Sequence, residues 1–207
     1  MSGDRVDLSA VAELYTSSLR EHGEVARGVG WKAPADHELR FERLTTVIEQ
    51  GPTDFVVAYL GCGFGSLFEF LVATGRKPGL YRGYDISEEM LAAARRRVSS
   101  SDAVFVLGSR IDEPADDSFA SGIFNVRLAA SEDEWREHVI RSLDNMNEMS
   151  RCGFAFNLLT SYVDWRDDNL YYADPSFFFD LCKRRYSRFV SLSHDYPLWE
   201  WTISVRR

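Results

Sequence analysis

An apolar run, Phe55-Val56-Val57-Ala58-Tyr59-Leu60, breaks into Gly61-Cys62-Gly63-Phe64-Gly65, and Leu67, Phe68, Phe70 and Leu71 follow at helical spacing. A run without a charged residue suits a strand covered on both faces, as in a parallel sheet. A glycine-rich turn from such a strand into a helix lets backbone approach a bound ligand closely. The next apolar run, Leu80 to Tyr84, leads into Asp85-Ile86-Ser87-Glu88-Glu89-Met90-Leu91. An acid at that strand tip can accept hydrogen bonds from two ribose hydroxyls. In the dinucleotide fingerprint G-x-G-x-x-G the third glycine would fall at Ser66, whereas this chain has it at Gly65, which argues against a dehydrogenase.

Strands and helices alternate along the rest of the chain. Leu8, Val11, Ala12, Leu14 and Tyr15 share one helical face; Leu39, Leu44, Val47 and Ile48 recur at helical spacing between Asp36 and Gln50, with Asp36 the expected N-cap. Between these helices, Gly23 to Pro34 is glycine-rich and carries Trp31, as a lid over a site would. Ser87 is placed to cap a helix with Glu88 and Glu89 early and Arg95, Arg96 and Arg97 late, an order that suits the helix dipole at both ends. Ala103 to Leu107 predicts a third strand, Phe119 to Phe124 a fourth, Ser131 to Ser150 a long helix and Gly153 to Leu159 a fifth strand. Asp174-Pro175 opens a helix that runs to Lys183. Phe189 to Ser193 and Trp199 to Val205 alternate like strands, and the Tyr196-Pro197 connection is too short for a parallel crossover. The expected architecture is an α/β doubly wound, seven-stranded, mostly parallel sheet with a C-terminal antiparallel hairpin. It forms a single domain over 1–207, with 1–50 as a helical N-terminal cap.

At 207 residues and 45% apolar content the chain can bury one sizeable core. Its net charge of −8 sets the average surface against phosphate backbones and lowers the case for nucleic acid. The segment Met1-Ser2-Gly3-Asp4-Arg5-Val6-Asp7 lacks the apolar core of a signal peptide, and no stretch is apolar for long enough to cross a bilayer, so a cytoplasmic protein is expected. Cys62, Cys152 and Cys182 are odd in number and far apart, which suits reduced thiols and implies neither a disulfide framework nor a zinc site.

With these elements in place the chain resembles the class I S-adenosylmethionine-dependent methyltransferases. The architecture matches over Gly51 to Arg207, and the sharpest local matches are Leu60 to Gly65 and Gly83 to Leu91. More narrowly, it is similar to small bacterial methyltransferases of capsule, surface-polysaccharide or secondary-metabolite gene sets. That similarity runs through Gly30-Trp31, Arg40-Phe41, Ser121 to Asn125, Gly153 to Asn157, Leu170 to Pro175 and His194-Asp195-Tyr196. The resemblance implies S-adenosylmethionine as cofactor and methyl transfer to a small polar acceptor: an oxygen of a sugar, a sugar-linked group or another metabolite. It also implies a cofactor set. Gly61 and Gly63 would leave room for the methionine portion and ribose, and Gly65 would bring the next helix close to the strand. Asp85 would take the ribose hydroxyls and Ile86 would lie on adenine, with Cys62 and Met90 in the same set. Ser109 stands where the class often has an acid for the adenine amino group, and Asn125, ending the fourth strand, would stand where cofactor and acceptor meet. The position of Tyr59 usually carries an acid in the class; tyrosine brings a hydroxyl but no charge.

On the acceptor side, Tyr15, Trp31, Tyr162 and His194 are the substrate-facing candidates, with Arg127 as a cation for an anionic acceptor; an alcohol would instead want a base near its hydroxyl. His22, His37 and His138 fall on expected helices or their edges and read as solvated. Phe177-Phe178-Phe179 and the pair Trp199 and Trp201 read as core. Asp164, Asp167, Asp168 and Asp174 read as a solvated loop, and no metal is expected. The expected partner is a small-molecule substrate, not nucleic acid or a membrane, with homo-oligomerisation left open. Two rivals remain: Tyr59 and Ser109 would suit a non-catalytic partner subunit that keeps the fold, and Lys183-Arg184-Arg185 would suit an RNA or protein methyltransferase.

Overall fold

The computed structural model describes residues 6–29, 34–48 and 54–207. In chain order the elements are α1 (Ser9–His22), a 3-10 turn (Ala26–Val29), α2 (Pro34–Leu44), a second 3-10 turn (Thr45–Val47), β1 (Val56–Leu60), α3 (Ser66–Ala73), β2 (Leu80–Asp85), α4 (Glu88–Arg97) and β3 (Ala103–Leu107). There follow β4 (Ala115–Ala120), α5 (Glu132–Met149), β5 (Ser150–Thr160), β6 (Tyr172–Ala173), α6 (Pro175–Arg185), β7 (Phe189–Ser193) and β8 (Glu200–Arg206). The sheet runs β3-β2-β1-β4-β5-β8-β7, parallel as far as β5, with β8 antiparallel to β5 and β7 antiparallel to β8. The two-residue β6 pairs parallel with β5, so the sheet has eight strands where the sequence predicts seven. No helix among the described residues is long and apolar enough to cross a membrane.

Strand periodicity explains the two layers. Val57 and Tyr59 of β1 pack with Phe41, Leu67, Phe68 and Leu91 from α2, α3 and α4, whereas Ala58 and Leu60 pack with Trp135, Val139 and Leu143 of α5 on the opposite face. Chain order along the sheet reverses beside β1, between β2 and β4, which opens a crevice at the carboxyl ends of the strands. Helix starts follow their capping signals: Ser87 Oγ accepts from the Met90 N–H, Ser131 and Glu134 form a capping box, and Asp174 accepts from the Ser176 N–H.

β8 shows how α2 is attached. Trp201, Ile203 and Val205 enter the apolar core, while Glu200, Thr202 and Ser204 alternate with them, buried too, because β8 is flanked by β5 and β7 and α2 packs against it. Arg40 of α2 donates from Nε to Glu200 Oε2 at 2.9 Å, an ion pair buried on both sides.

Several boundaries depart from the sequence reading. α2 begins at Pro34, so Asp36 lies in the first turn instead of capping it. The helix expected to reach Gln50 gives way to a 3-10 turn after Leu44, where the Thr45 and Thr46 hydroxyls donate back to Phe41 O and Arg43 O, each at 2.7 Å; Gln50 itself lies outside the described residues. β4 ends at Ala120, not Phe124, because the chain turns at Gly122 with φ 75°. Leu14 and Trp199 are exposed, the latter because it precedes β8, and of Phe177-Phe178-Phe179 only Phe178 is fully buried.

Candidate functional site

The turn after β1 is fixed by main chain. Gly61 and Cys62 donate their N–H groups to Tyr84 O at 2.8 and 2.9 Å, tying the turn to the end of β2. Gly61, Gly63 and Gly65 take φ values of 75°, 53° and 86°, the left-handed region that favours glycine. A Cβ at Gly61 would stand 1.9 Å from Ile123 Cγ2, so the loop after β4 closes over the turn only because that atom is missing. At Gly65, the N-cap of α3, a Cβ would meet Val98 Cγ2 at 3.0 Å and Phe105 at 3.3 Å.

Asp85 ends β2 and faces the turn. Its Oδ2 accepts from the Gly63 N–H and its Oδ1 from the Ser87 N–H, both at 2.9 Å. Burial pushes the carboxyl pKa up, against the opposing pull of the Ser87, Gly63 and Ile86 N–H groups. A carboxylate offers about four lone-pair sites, so roughly two remain for other donors.

A cavity lies between this turn and helices α1 and α2. Ile86, Met90 and Ser109 join Asp85 in its wall, and α1 and α2 contribute Tyr15, His37 and Phe41. Burial holds the Tyr15 phenol up at about 12, with the Asp85 charge adding to it, and the Tyr59 phenol and Cys62 thiol are raised by burial as well. His37 lies against Phe41 with ring centroids 4.4 Å apart, and burial, then the charges of Arg40 and Arg97, push its pKa down to about 4. His138 of α5 also lines the cavity, 5.0 Å from the Trp135 ring; burial, then Arg141, lowers it to about 4. Both imidazoles are therefore neutral near neutral pH.

A buried polar chain supports the loop that carries Ser121, Gly122 and Ile123, all three in the cavity wall. Asn157 Oδ1 accepts from the Gly122 N–H at 2.9 Å, while Asn157 Nδ2 donates to Ser121 Oγ at 3.0 Å and to Glu200 Oε1 at 3.2 Å. Ser121 in turn opposes the rise that burial gives the Tyr59 phenol.

Of the residues expected at the site, Tyr15, Gly61, Cys62, Gly63, Asp85, Ile86, Met90 and Ser109 share this cavity. Gly65 belongs to the turn but packs away from the wall. Asn125 stands beyond the end of β4, buried, where its Oδ1 accepts from the Leu159 N–H at 3.3 Å and holds the loop to β5. Arg127 donates to Leu170 O at 3.2 Å and Ala130 O at 2.6 Å, outside the cavity wall. Tyr162 and His194 lie together with ring centroids 5.9 Å apart, also outside it, and Asp195 takes the Ser193 hydroxyl at 2.8 Å. Trp31 lies outside the described residues. His37 and His138 correct the sequence reading: only His22 is exposed, and the other two are partly buried in the cavity wall. Their signal was a ring one turn away on the same helix, Phe41 for His37 and Trp135 for His138, which marks an inward face.

Comparison with known proteins agrees with this geometry. Residues 57–148 match the model of a methyltransferase domain. Rv1506c of Mycobacterium tuberculosis, a candidate methyltransferase by name, is 54% identical over 157 residues, covering 74% of this chain and 93% of its own. Among solved structures, the magnesium protoporphyrin IX methyltransferase of Synechocystis PCC 6803 with bound S-adenosylmethionine superposes with a TM-score of 0.69 at 13% identity, over 100% of both chains. The DhpI-SAM-HEP complex does so with a TM-score of 0.64 at 13% identity, again over 100% of both. The residues present fit such a nucleoside: a glycine turn whose main chain at Gly61 and Gly63 forms part of the cavity wall, a strand-tip carboxylate with lone pairs to spare, and an apolar residue, Ile86, beside it.

Proposed function

Since the chain belongs to the class I S-adenosylmethionine-dependent methyltransferases, we propose that it methylates an oxygen of a small polar acceptor held under the N-terminal cap, such as a sugar, a sugar-linked group or another metabolite. The observation that carries this reading is His37, a neutral imidazole in a cavity wall that holds no lysine or arginine among its described residues. An anionic acceptor would want a cation there, whereas an uncharged hydroxyl wants a proton acceptor.

In this reading Asp85 takes the ribose hydroxyls, the main chain at Gly61 and Gly63 lies against the ribose and methionine portion, Ile86 lies on adenine, and Ser109 receives the adenine amino group. Cys62 and Met90 complete that wall. When bound, the cofactor supplies a methyl group already activated on a sulfonium, so the protein needs no nucleophile of its own. The cap supplies placement, which alone is worth on the order of 7–11 kcal/mol. His37 would accept the acceptor's hydroxyl proton on a ring nitrogen as that oxygen is methylated. A weakly basic imidazole suffices, because the hydroxyl becomes strongly acidic as its oxygen gains the methyl group.

Calorimetry tests the cofactor half: S-adenosylmethionine binds in the micromolar range, Asp85→Ala abolishes binding, and failure of the folded wild type to bind sinks the reading. Transfer of a labelled methyl group tests the other half. His37→Gln lowers the rate by roughly 10²–10⁴-fold while cofactor affinity stays within about threefold; loss of affinity would make His37 a cofactor ligand instead. Tyr59, in place of the usual acid, favours one rival, a partner subunit, which predicts bound cofactor and no transfer to any acceptor. The RNA or protein reading is weakened by Arg184 and Arg185, which pair with Asp180 at 2.8 Å and Asp144 at 2.6 Å.

A further inference from the structure

Glu200 lies far from the glycine turn in sequence, yet hydrogen bonds connect it to the cavity wall. Its two carboxylate oxygens accept from different elements, Oε2 from Arg40 Nε at 2.9 Å and Oε1 from Asn157 Nδ2 at 3.2 Å. Asn157 passes this on through Oδ1 to the Gly122 N–H and through Nδ2 to Ser121 Oγ. The same loop seats Ile123 in the space a Cβ at Gly61 would fill. At the other end, α2 sends Arg40 to Glu200 and presents His37 and Phe41, one turn apart, to the cavity. Each member of the chain is buried: Arg40, Ser121, Asn157 and Glu200 expose 6, 7, 0 and 1% of their surface.

Stability alone gives no reason for this arrangement, because a buried ion pair is often matched or exceeded by apolar side chains of similar volume. It does give a geometric one. A carboxylate accepts from both donors at once, and its two oxygens sit at a fixed separation, so the position of α2 sets the position of Asn157.

We propose that Glu200 is a positioning residue: by bridging Arg40 of the cap to Asn157 it sets the Ser121–Ile123 loop against the glycine turn, so that the seating of the cap governs cofactor affinity. This rests on the cofactor site proposed above. Glutamine at position 200 keeps the shape but turns an NH2 group toward one of the two donors, breaking one link. Methionine at both 40 and 200 keeps the volume and removes the links altogether.

Calorimetry with S-adenosylhomocysteine, together with thermal melting, separates positioning from mere support. Glu200→Gln loses about tenfold or more in affinity at a temperature where it is fully folded. The double variant Arg40→Met with Glu200→Met regains a melting temperature near that of the wild type yet stays about tenfold weak. Wild-type affinity in either folded variant overturns the proposal and leaves the pair a structural strut; should Glu200→Gln unfold, the double variant decides alone. If the wild type itself fails to bind, the cofactor site is what falls.

Discussion

The two walls of the cavity are built by different means. The wall proposed to hold the cofactor is local: the Gly61 and Cys62 N–H groups hold Tyr84 O, and the Gly63 N–H holds the Asp85 carboxylate, across no more than 23 positions. The cap wall is assembled over long range by side chains, with Arg40 and Glu200 separated by 160 positions. Backbone hydrogen bonds tolerate most changes of side chain, so the first wall is vulnerable chiefly at its required glycines and at the Asp85 carboxylate. The second depends on a few buried polar groups, each costly to leave unpaired. Such a division lets one wall keep its ligand while the other changes with its side chains.

After the loss of binding in Asp85→Ala, the largest expected effect tests the backbone account of the first wall. Gly61→Ala places a Cβ at 1.9 Å from Ile123 Cγ2 on a residue with φ 75°, so either the loop after β4 lifts or the turn shifts, and both spoil the wall. Affinity for S-adenosylmethionine should fall at least 100-fold, with a lowered melting temperature. Binding within threefold of wild type would show that the turn is not held as described, and the contrast between the walls would dissolve.

The same contrast explains what the sequence disclosed. β1, the glycine turn, β2 and Asp85 were legible because each is specified by adjacent residues: an uncharged run, glycines at left-handed positions, an acid at a strand tip. The closing hairpin was legible because a short connection forbids a parallel crossover. Asn125 was misplaced because Gly122 ends β4 early, and no local pattern says that a glycine in an apolar run will turn the chain instead of continuing the strand. Arg127 and Tyr162 sat at plausible distances from strand ends, yet the direction of a side chain in a loop depends on partners such as Leu170 O that only the fold brings near. His37 reads as solvated in the sequence although Phe41, one turn on along α2, marks an inward face; what no local pattern could show is the burial that the fold gives it and the Arg97 charge brought near from α4.

A second prediction separates the walls by acid. His37 and His138 have folded pKa values near 4, below the roughly 6.5 of an unfolded histidine. Between those values the unfolded chain binds more protons, so their contribution leaves stability intact above about pH 6.5 and erodes it as pH falls toward about 4. Buried Asp85 and Glu200 act oppositely: their pKa values are raised, so protonation relieves their burial as pH falls. Comparing wild type with His37→Gln isolates the histidine. The loss of melting temperature from neutral pH to about pH 4.5 should shrink in the variant; an unchanged loss would mean that the imidazole is not held neutral in the cap wall.

The smallest effect marks the outer boundary of the cap wall. Arg127 donates to two carbonyls, Leu170 O and Ala130 O, and lines no part of the cavity. Arg127→Ala leaves both acceptors near solvent, which costs about 1 kcal/mol, or roughly 2–4 °C in melting temperature for a chain of this size. Cofactor affinity and the rate of methyl transfer should stay within twofold. A loss of transfer beyond tenfold, with affinity and fold intact, would mean that the acceptor reaches past the cavity to a cation. The cap wall would then extend to the loop after β4, and an anionic acceptor would replace the uncharged hydroxyl.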